Sequence, residues 1–151
     1  MTEDQKSTCH KIIHTATAAC AAVAGGLAQL PGSDTVPITA AQITMIISLG
    51  AVFDRQITKS AAQGILKGMA ASYGGRFVSQ LLVGWIPFFG NAVNVSTAVA
   101  ITEKMGWAIA DKFDAEQKEE AHKEELKEML LKRLISLSSS EEIYSLNNLK
   151  K

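Results

Sequence analysis

Two histidines and a cysteine near the N-terminus are the residues whose types and spacing come closest to a chemical site. His10 and His14 are one helical turn apart, and Cys9 adjoins His10 in the sequence. Histidines at positions i and i+4 of a helix share a face and can bind one zinc ion. Zinc needs at least a third protein ligand, and no other residue has a diagnostic spacing. His10 and His14 therefore remain candidates, and we predict that no metal is bound.

Acidic residues are sparse in the first three quarters of the chain and far apart in the sequence. Asp34, Asp54, Glu103 and Asp111 each fall at a predicted helix end or beside a basic residue, which favours capping or surface pairing over acid–base catalysis. The stretch "GILKG" lacks the Lys and Ser/Thr that follow the second glycine of a phosphate-binding loop. We predict no catalytic residue and no cofactor, and keep an enzyme using the His10/His14 face as a minor alternative.

The composition argues against nucleic acid as a partner and favours a reducing compartment. The 15 basic and 15 acidic residues balance, so no long-range field attracts nucleic acid. Cys9 and Cys20 would lie about 16 Å apart along one helix, too far to form a disulfide. The N-terminal sequence lacks the basic and apolar regions of a secretory signal. These features predict a cytoplasmic protein.

Charge divides the 151 residues into three parts. Residues 12–113 contain ten charged side chains in 102 positions, whereas residues 114–134 contain twelve in 21. Residues 135–151 are rich in serine. We predict an apolar helical body over residues 1–113, a charged helical extension over 114–134, and a polar tail over 135–151 that could form a short helix.

The body reads as all-α, a compact bundle of about five apolar helices. Hydrophobic residues recur at helical spacing from Ile12 to Leu30, where "LPGSD" would end the first helix. Thr39-Ala-Ala-Gln42 and Ser60-Ala-Ala-Gln63 resemble capping boxes that would begin the second and third helices. Gly74-Gly75 would end the third helix. Two more helices are predicted over residues 76–84 and 91–113.

The glycine and other small residues of the body predict where helices approach one another closely. Gly64 and Gly68 form one small-residue ridge, on the third helix, and Ala92, Ser96 and Ala100 form another, on the fifth. Such ridges allow two helix backbones to come together, in a membrane or in a tight bundle.

Three stretches without Asp, Glu, Lys or Arg, residues 12–33, 35–53 and 77–102, are long enough to raise the question of membrane spans. The first two lack the leucine-rich character of a span, and Pro87 divides the third into pieces of ten and fifteen residues. We predict a helical hairpin there, because Pro87 blocks helix continuation and Gly90-Asn91 can form a cap.

The hairpin loop is the predicted interaction site. Phe88 and Phe89 would pack under a neighbouring helix in a soluble bundle, or dip into lipid in a peripheral membrane protein. Trp85 and Trp107 fit either a membrane interface or a helix junction. We favour the soluble, oligomeric bundle. The candidate interaction residues are Trp85, Ile86, Pro87, Phe88, Phe89 and Gly90.

The charged extension has features of a solvated helix and, further along, of a docking helix. Glu119 with Lys123 and Glu128 with Lys132 form i,i+4 pairs. An apolar stripe is formed by Leu126, Met129, Leu130 and Leu134. We expect a solvated arm that docks on the body or on a second copy, and a purely solvated face remains the alternative.

Two blocks of the body resemble a bacterial family of uncharacterised helical domains associated with Era-like or dynamin-like GTPases. The first is "LAQLPGSDTVPITAAQITMIISLGAVF", with Gln42, Met45 and Ile46 opening a helix. The second is "GGRFVSQLLVGWIPFFGNAVNVSTAVAITEKMGWAIADKF". In that block the family's order is kept by Gly75, Arg76, Ile86, Pro87, Gly90, Asn94, Thr102 and Gly106. The resemblance covers residues 12–113 and implies membrane association and GTPase partnership. This sequence has no GTPase domain, so the GTPase would be another polypeptide.

These observations together predict a non-enzymatic helical interaction module. It would be GTPase-associated, peripheral at the inner face of the cytoplasmic membrane, or both, and we expect a homo-oligomer that does not bind nucleic acid. The alternative is a soluble helical homo-oligomer whose groove binds an apolar ligand such as a lipid.

Overall fold

The computed structural model describes residues 1–26, 35–69 and 90–148, and this part of the chain is helical, with no β-strand. Helix α1 is Glu3–Gly26, α2 is Thr35–Val52, α3 is described over residues 59–69, and α4 is Gly90–Asn148. The predicted all-α class is confirmed. The predicted helix over residues 76–84, the stop at Gly74-Gly75 and the "LPGSD" turn lie outside the described residues.

Helix α1 begins with a capping box. The backbone N–H of Gln5 donates to the Thr2 hydroxyl at 3.1 Å, and the backbone N–H of Thr2 donates to the Gln5 side-chain carbonyl at 2.8 Å. Both bonds satisfy donors that have no partner within the helix.

Helix α2 begins at Thr35, four residues before the predicted start at Thr39. Pro37 is therefore the third helical residue, where its missing N–H costs nothing because the first-turn N–H groups have no partner within the helix. The amide of Gln42, predicted to cap the helix, instead donates to the hydroxyl of Thr102 on α4, at 3.2 Å. A tertiary hydrogen bond has replaced the expected local one.

A Schellman motif ends α2. The N–H of Arg55 donates to the Gly50 carbonyl at 2.9 Å, and that of Asp54 donates to the Ala51 carbonyl at 3.3 Å. Asp54 has a φ of 57°, the left-handed conformation that this motif requires. Asp is one of the few residues other than glycine that tolerate this conformation.

The cap of α3 is Thr58 rather than the predicted Ser60. The Thr58 hydroxyl accepts the N–H of Ala61 at 3.2 Å, and α3 then starts at residue 59. The correction follows from the geometry of capping, because a side-chain oxygen reaches the N–H three residues ahead, and Ser60 already lies inside the helix.

Three contacts fix the directions of the helices in the body. The Gln5 side-chain N–H donates to the Val52 carbonyl at 3.5 Å, so the start of α1 meets the end of α2 and the two helices are antiparallel. Phe53 meets Phe113 edge-to-face, with ring centroids 6.2 Å apart. Together with the Gln42–Thr102 bond, this pair shows that α2 runs parallel to the first part of α4.

The core lies between α1, α2, α3 and the first part of α4. Its buried members are Cys9, Ile13, Ala16, Ile43, Met45, Ile46, Leu49, Phe53, Ala62, Met105, Ile109, Ala110 and Phe113. On α1 the buried face runs through Cys9, Ile13, Ala16 and Cys20, whereas Ile12 is only half-buried and Ala19 is exposed. The predicted stripe is therefore correct in period and slightly rotated.

Close approach of helices occurs at a different glycine from those predicted. A Cβ built on Gly106 of α4 would lie 2.8 Å from Cγ1 of Ile13 on α1. A Cβ built on Gly64 or Gly68 meets no described atom within 4 Å. In the second predicted ridge, Ser96 and Ala100 are exposed, and the side chain of Ala92 lies outside the described part. The predicted close approach at Gly64 and Gly68 is therefore not found among the described helices, and the ridge that includes Ala92 stays a prediction.

Helix α4 continues from residue 90 through the predicted body end at Phe113, the charged extension and most of the tail, to Asn148. The chain forms two compact units, Met1–Asp114 and Ala115–Lys151. All of the buried core residues named above belong to the first unit.

Candidate interaction surface

Five of the six residues of the predicted hairpin site lie outside the described part of the chain. Trp85, Ile86, Pro87, Phe88 and Phe89 lie outside the described residues, and Gly90 is the first residue of α4. The hairpin therefore stays a prediction from sequence.

The two histidines on α1 lie together, opposite α4. Their ring centroids are 4.1 Å apart, and His10 is 6.2 Å from the Trp107 ring. Nε2 of His14 is 3.9 Å from Oε1 of Glu103, a long ion-pair contact between two partly exposed groups when the imidazole is protonated. Among the described residues, no group of three His, Cys, Asp or Glu could hold a metal ion.

Both cysteines are free, and both are buried. Burial raises the pKa of the Cys9 thiol, and the nearby carboxylates of Asp111 and Asp114 raise it further. Burial also raises the pKa of Cys20, and a hydrogen bond with Thr102 opposes part of that effect. The thiolate is the reactive form of cysteine, so these two side chains behave as packed apolar groups rather than nucleophiles.

The described surface with the strongest binding character is on the second unit, on α4. Between residues 126 and 137, seven large apolar side chains are exposed by 41% to 63%. They are Leu126, Met129, Leu130, Leu131, Leu134, Ile135 and Leu137. We call this set the α4 apolar face. Soluble proteins usually expose large apolar side chains singly, so seven within twelve residues indicate a binding surface.

Five of the seven side chains of the apolar face lie on one side of the helix. At about 100° per residue, Met129, Leu126, Leu137, Leu130 and Leu134 span an arc of about 140°. Leu131 and Ile135 extend the face on one flank, to about 240° in all. Arg133 falls inside the arc, where its aliphatic stem can lie along the surface while its guanidinium remains in water.

Ion pairs between side chains one turn apart stabilise the helical form of α4 before and beside the apolar face. The predicted pairs are confirmed, with Lys123 Nζ 2.7 Å from Glu119 Oε1 and Lys132 Nζ 3.4 Å from Glu128 Oε2. A third pair joins Lys127 Nζ to Glu124 Oε1 at 2.6 Å. The hydrogen bond from Lys123 lowers the pKa of Glu119 below its ordinary value. Exposed pairs of this kind stabilise a helix only weakly, so packing of the apolar face would matter more.

Sequence reasoning identified Leu126, Met129, Leu130 and Leu134 of this face but not the remaining three residues. Leu137 continues the same spacing one step beyond Leu134. The Ser-rich composition after residue 134 places it in the predicted polar tail. Leu131 and Ile135 lie off the main stripe, and only their exposure in the structure adds them to the apolar face.

Two open grooves lie along α2 and form a second surface. One has a volume of about 490 Å³ and the other about 390 Å³. The first is lined by Thr39, Ala40, Ile43, Thr44, Ile47, Lys59 and Gln63. The second is lined by Lys11, Ile12, Thr15, Ala16, Ala19, Ala41, Thr44, Met45 and Ser48. Both linings are mainly apolar, so their chemistry fits hydrocarbon better than a charged ligand.

Among the described helices, none combines the length and the hydropathy that crossing a membrane requires. No family model, no curated protein and no solved structure matches the chain. The resemblance to the GTPase-associated helical family therefore stays a prediction.

Proposed function

We propose that this protein is a non-enzymatic helical interaction module and that the α4 apolar face is its binding surface. The observation that carries the proposal is the exposure of seven large apolar side chains within residues 126–137. In the described part of the body, His14 lies 3.9 Å from Glu103 and both thiols are buried. Binding chemistry therefore concentrates on α4.

The test of this proposal is a change confined to the apolar face. In Leu130→Glu/Leu134→Glu two central side chains become charged, and because both are exposed the fold should be retained. Ala121→Glu is the matched control, since Ala121 is also exposed but lies on the opposite side of α4. Binding should be assayed by size-exclusion chromatography and by co-sedimentation with vesicles. The double variant should lose whatever binding the wild-type protein has, and the control should keep it.

Partnership with a separately encoded GTPase, association with the inner face of the cytoplasmic membrane, and homo-oligomerisation are further parts of the proposal. The first two rest on the resemblance of residues 12–113. We also propose that the hairpin around Pro87 completes a bundle of about five helices and carries a second interaction site at Phe88 and Phe89. Co-sedimentation with vesicles that depends on these two aromatics, at unchanged melting temperature, would support the hairpin site.

A second candidate function is binding of an apolar ligand such as a lipid, favoured by the two grooves along α2. Thr44 lines both grooves. Thr44→Trp should obstruct them and weaken binding of a fluorescent fatty acid. Gln56→Trp, at an exposed position that lines neither groove, is the matched control. Equal fatty-acid binding by the two variants would argue against this function.

A further inference from the structure

We propose that the α4 apolar face is covered by the same face of a second copy of this chain, with the two helices antiparallel. The inference rests on the proposed function and names the partner of that surface. It depends on three observations: the area of the face, the distribution of charge along α4, and the sign of the charges beside the face.

The area of the face is what a stable dimer needs. Seven apolar side chains that are about half exposed hold on the order of 400 Å² of apolar surface, taking roughly 60–120 Å² for each fully exposed side chain. Two copies together would bury about 800 Å² of apolar surface. Because apolar atoms form about 60% of a typical interface, the total is about 1,300 Å², within the range of specific complexes.

The charges along α4 favour the antiparallel orientation. Residues 114–128 contain seven acidic and three basic side chains, a net charge of 3 − 7 = −4. A parallel, in-register pair would align this segment with its own copy, and the two would repel each other. Antiparallel pairing about the middle of the face removes this overlap, because it places residues 126 and 137 of the two chains at the same level.

The same register is self-complementary. Arg133 would lie level with Leu130 of the partner subunit, where its aliphatic stem can lie along the apolar side chains while its guanidinium stays in water. The twofold axis repeats this relationship on both sides of the dimer. Such a self-complementary arrangement is the form that a symmetric dimer takes.

The acidic residues beside the α4 apolar face argue against a membrane as its binding partner. Helices that lie on anionic bilayers carry mainly Lys and Arg on their polar side. The turns that lead into this face carry five glutamates between residues 119 and 128 and only two lysines. An anionic lipid surface would therefore repel this segment.

The dimer is tested with the full chain by sedimentation equilibrium at concentrations on the order of 1 to 100 µM. The wild-type protein and Ala121→Glu should both reach the mass of two chains. Leu130→Glu/Leu134→Glu should weaken dimerisation by about 100-fold or more, because each dimer would bring four carboxylates into an apolar contact. Leu130→Lys/Leu134→Lys should do the same with the opposite charge, and retained cooperative melting shows that the body is folded.

Orientation is tested with single cysteines at the two ends of the face. When Leu126→Cys and Leu137→Cys chains are mixed under mild oxidation, the antiparallel dimer predicts the mixed disulfide. Two homodisulfides without the mixed product would overturn the antiparallel arrangement. The native cysteines are buried and should not compete.

Three results separate this inference from the proposed function. A dimer that is unaffected by both double variants would overturn the inference. A wild-type protein that is monomeric and binds phosphatidylcholine/phosphatidylglycerol vesicles through the α4 apolar face would also overturn the dimer. That result would still agree with the proposed function, a helical interaction module. A monomer that binds no vesicles, and whose α4 variants behave as wild type in every assay, would overturn both.

Discussion

The side-chain amide of Gln42 on α2 donates a hydrogen bond to the hydroxyl of Thr102 on α4, across 3.2 Å and between positions sixty residues apart in the chain. Thr102 is fully buried and Gln42 nearly so. Thr102 also forms a hydrogen bond with Cys20 on α1. One hydroxyl thus joins three helices of an otherwise apolar core, and this polar contact fixes their register.

Removing one partner of this bond should destabilise the body more than removing both. Gln42→Leu removes the donor to the Thr102 hydroxyl, and Thr102→Val leaves the Gln42 amide without its acceptor. Each variant should therefore lower the free energy of unfolding by about 1–3 kcal/mol. The double variant should lose less than the sum of the two. Urea unfolding of all four proteins measures the coupling, and additive losses would show that the bond contributes nothing.

Thr17 is a buried residue whose replacement should be stabilising. Its hydroxyl has no hydrogen-bond partner among the described residues, and its side chain is only 6% exposed. Thr17→Val keeps the shape and removes the unsatisfied group, so the free energy of unfolding should rise by about 1 kcal/mol. Thr15→Val is the control, because the exposed Thr15 hydroxyl bonds to the Lys11 carbonyl at 2.8 Å. A loss of stability in Thr17→Val would show that the hydroxyl has a partner, such as a buried water.

The all-α class and the i,i+4 ion pairs follow from local patterns, and sequence was sufficient for them. The first residues of the helices are harder to predict from sequence. Thr39 and Ser60 match a capping pattern, but Gln42 forms a tertiary bond and Thr58 takes the capping role. Local motifs compete with tertiary contacts that are invisible in sequence, so element type is easier to predict than element boundary.

The candidate surface was predicted in part. Helical spacing identifies an apolar stripe on the extension, because it needs only the local period. Whether that stripe is buried depends on the positions of other helices, which local sequence does not specify. The close approach of Gly106 to Ile13 also depends on the positions of other helices. Many glycines lie in the helices, and only the fold shows which one has a neighbouring side chain against its Cα.

Gly106 should tolerate no side chain. A Cβ there would lie 2.8 Å from Cγ1 of Ile13, a fully buried, β-branched residue with little freedom to move. Gly106→Ala should therefore cost about 1–3 kcal/mol of stability, despite the better helix propensity of alanine. Gly64→Ala is the matched control and should gain about 0.5–1 kcal/mol, since no described atom lies within 4 Å of its Cβ. Thermal melts of both variants test the pair, and equal shifts would contradict the close contact.

Ending the chain after Asp114 should leave a folded body. Among the residues that the structure describes, the buried core side chains lie at or before Phe113, and the second unit begins at Ala115. Circular dichroism should therefore show a cooperative melt close to that of the full chain, and the truncated protein should be monomeric. A truncated chain without a cooperative transition would show that α4 beyond residue 114 is required for folding.

The buried cysteines should make the protein less stable in alkaline solution. Burial raises the pKa of Cys20 above its ordinary value of 9.0, so above about pH 9 the unfolded chain loses this proton while the folded chain retains it. The stabilisation is complete below pH 9 and is lost as pH rises through the folded pKa, by at most about 1.4 kcal/mol per pH unit. Cys20→Ala creates a cavity and should cost stability at pH 7, but this cost should shrink by pH 10. Urea unfolding under reducing conditions at both pH values measures the change. Ile13→Val, a buried variant with no titrating group, should cost the same at both, and an equally constant cost for Cys20→Ala would refute the linkage.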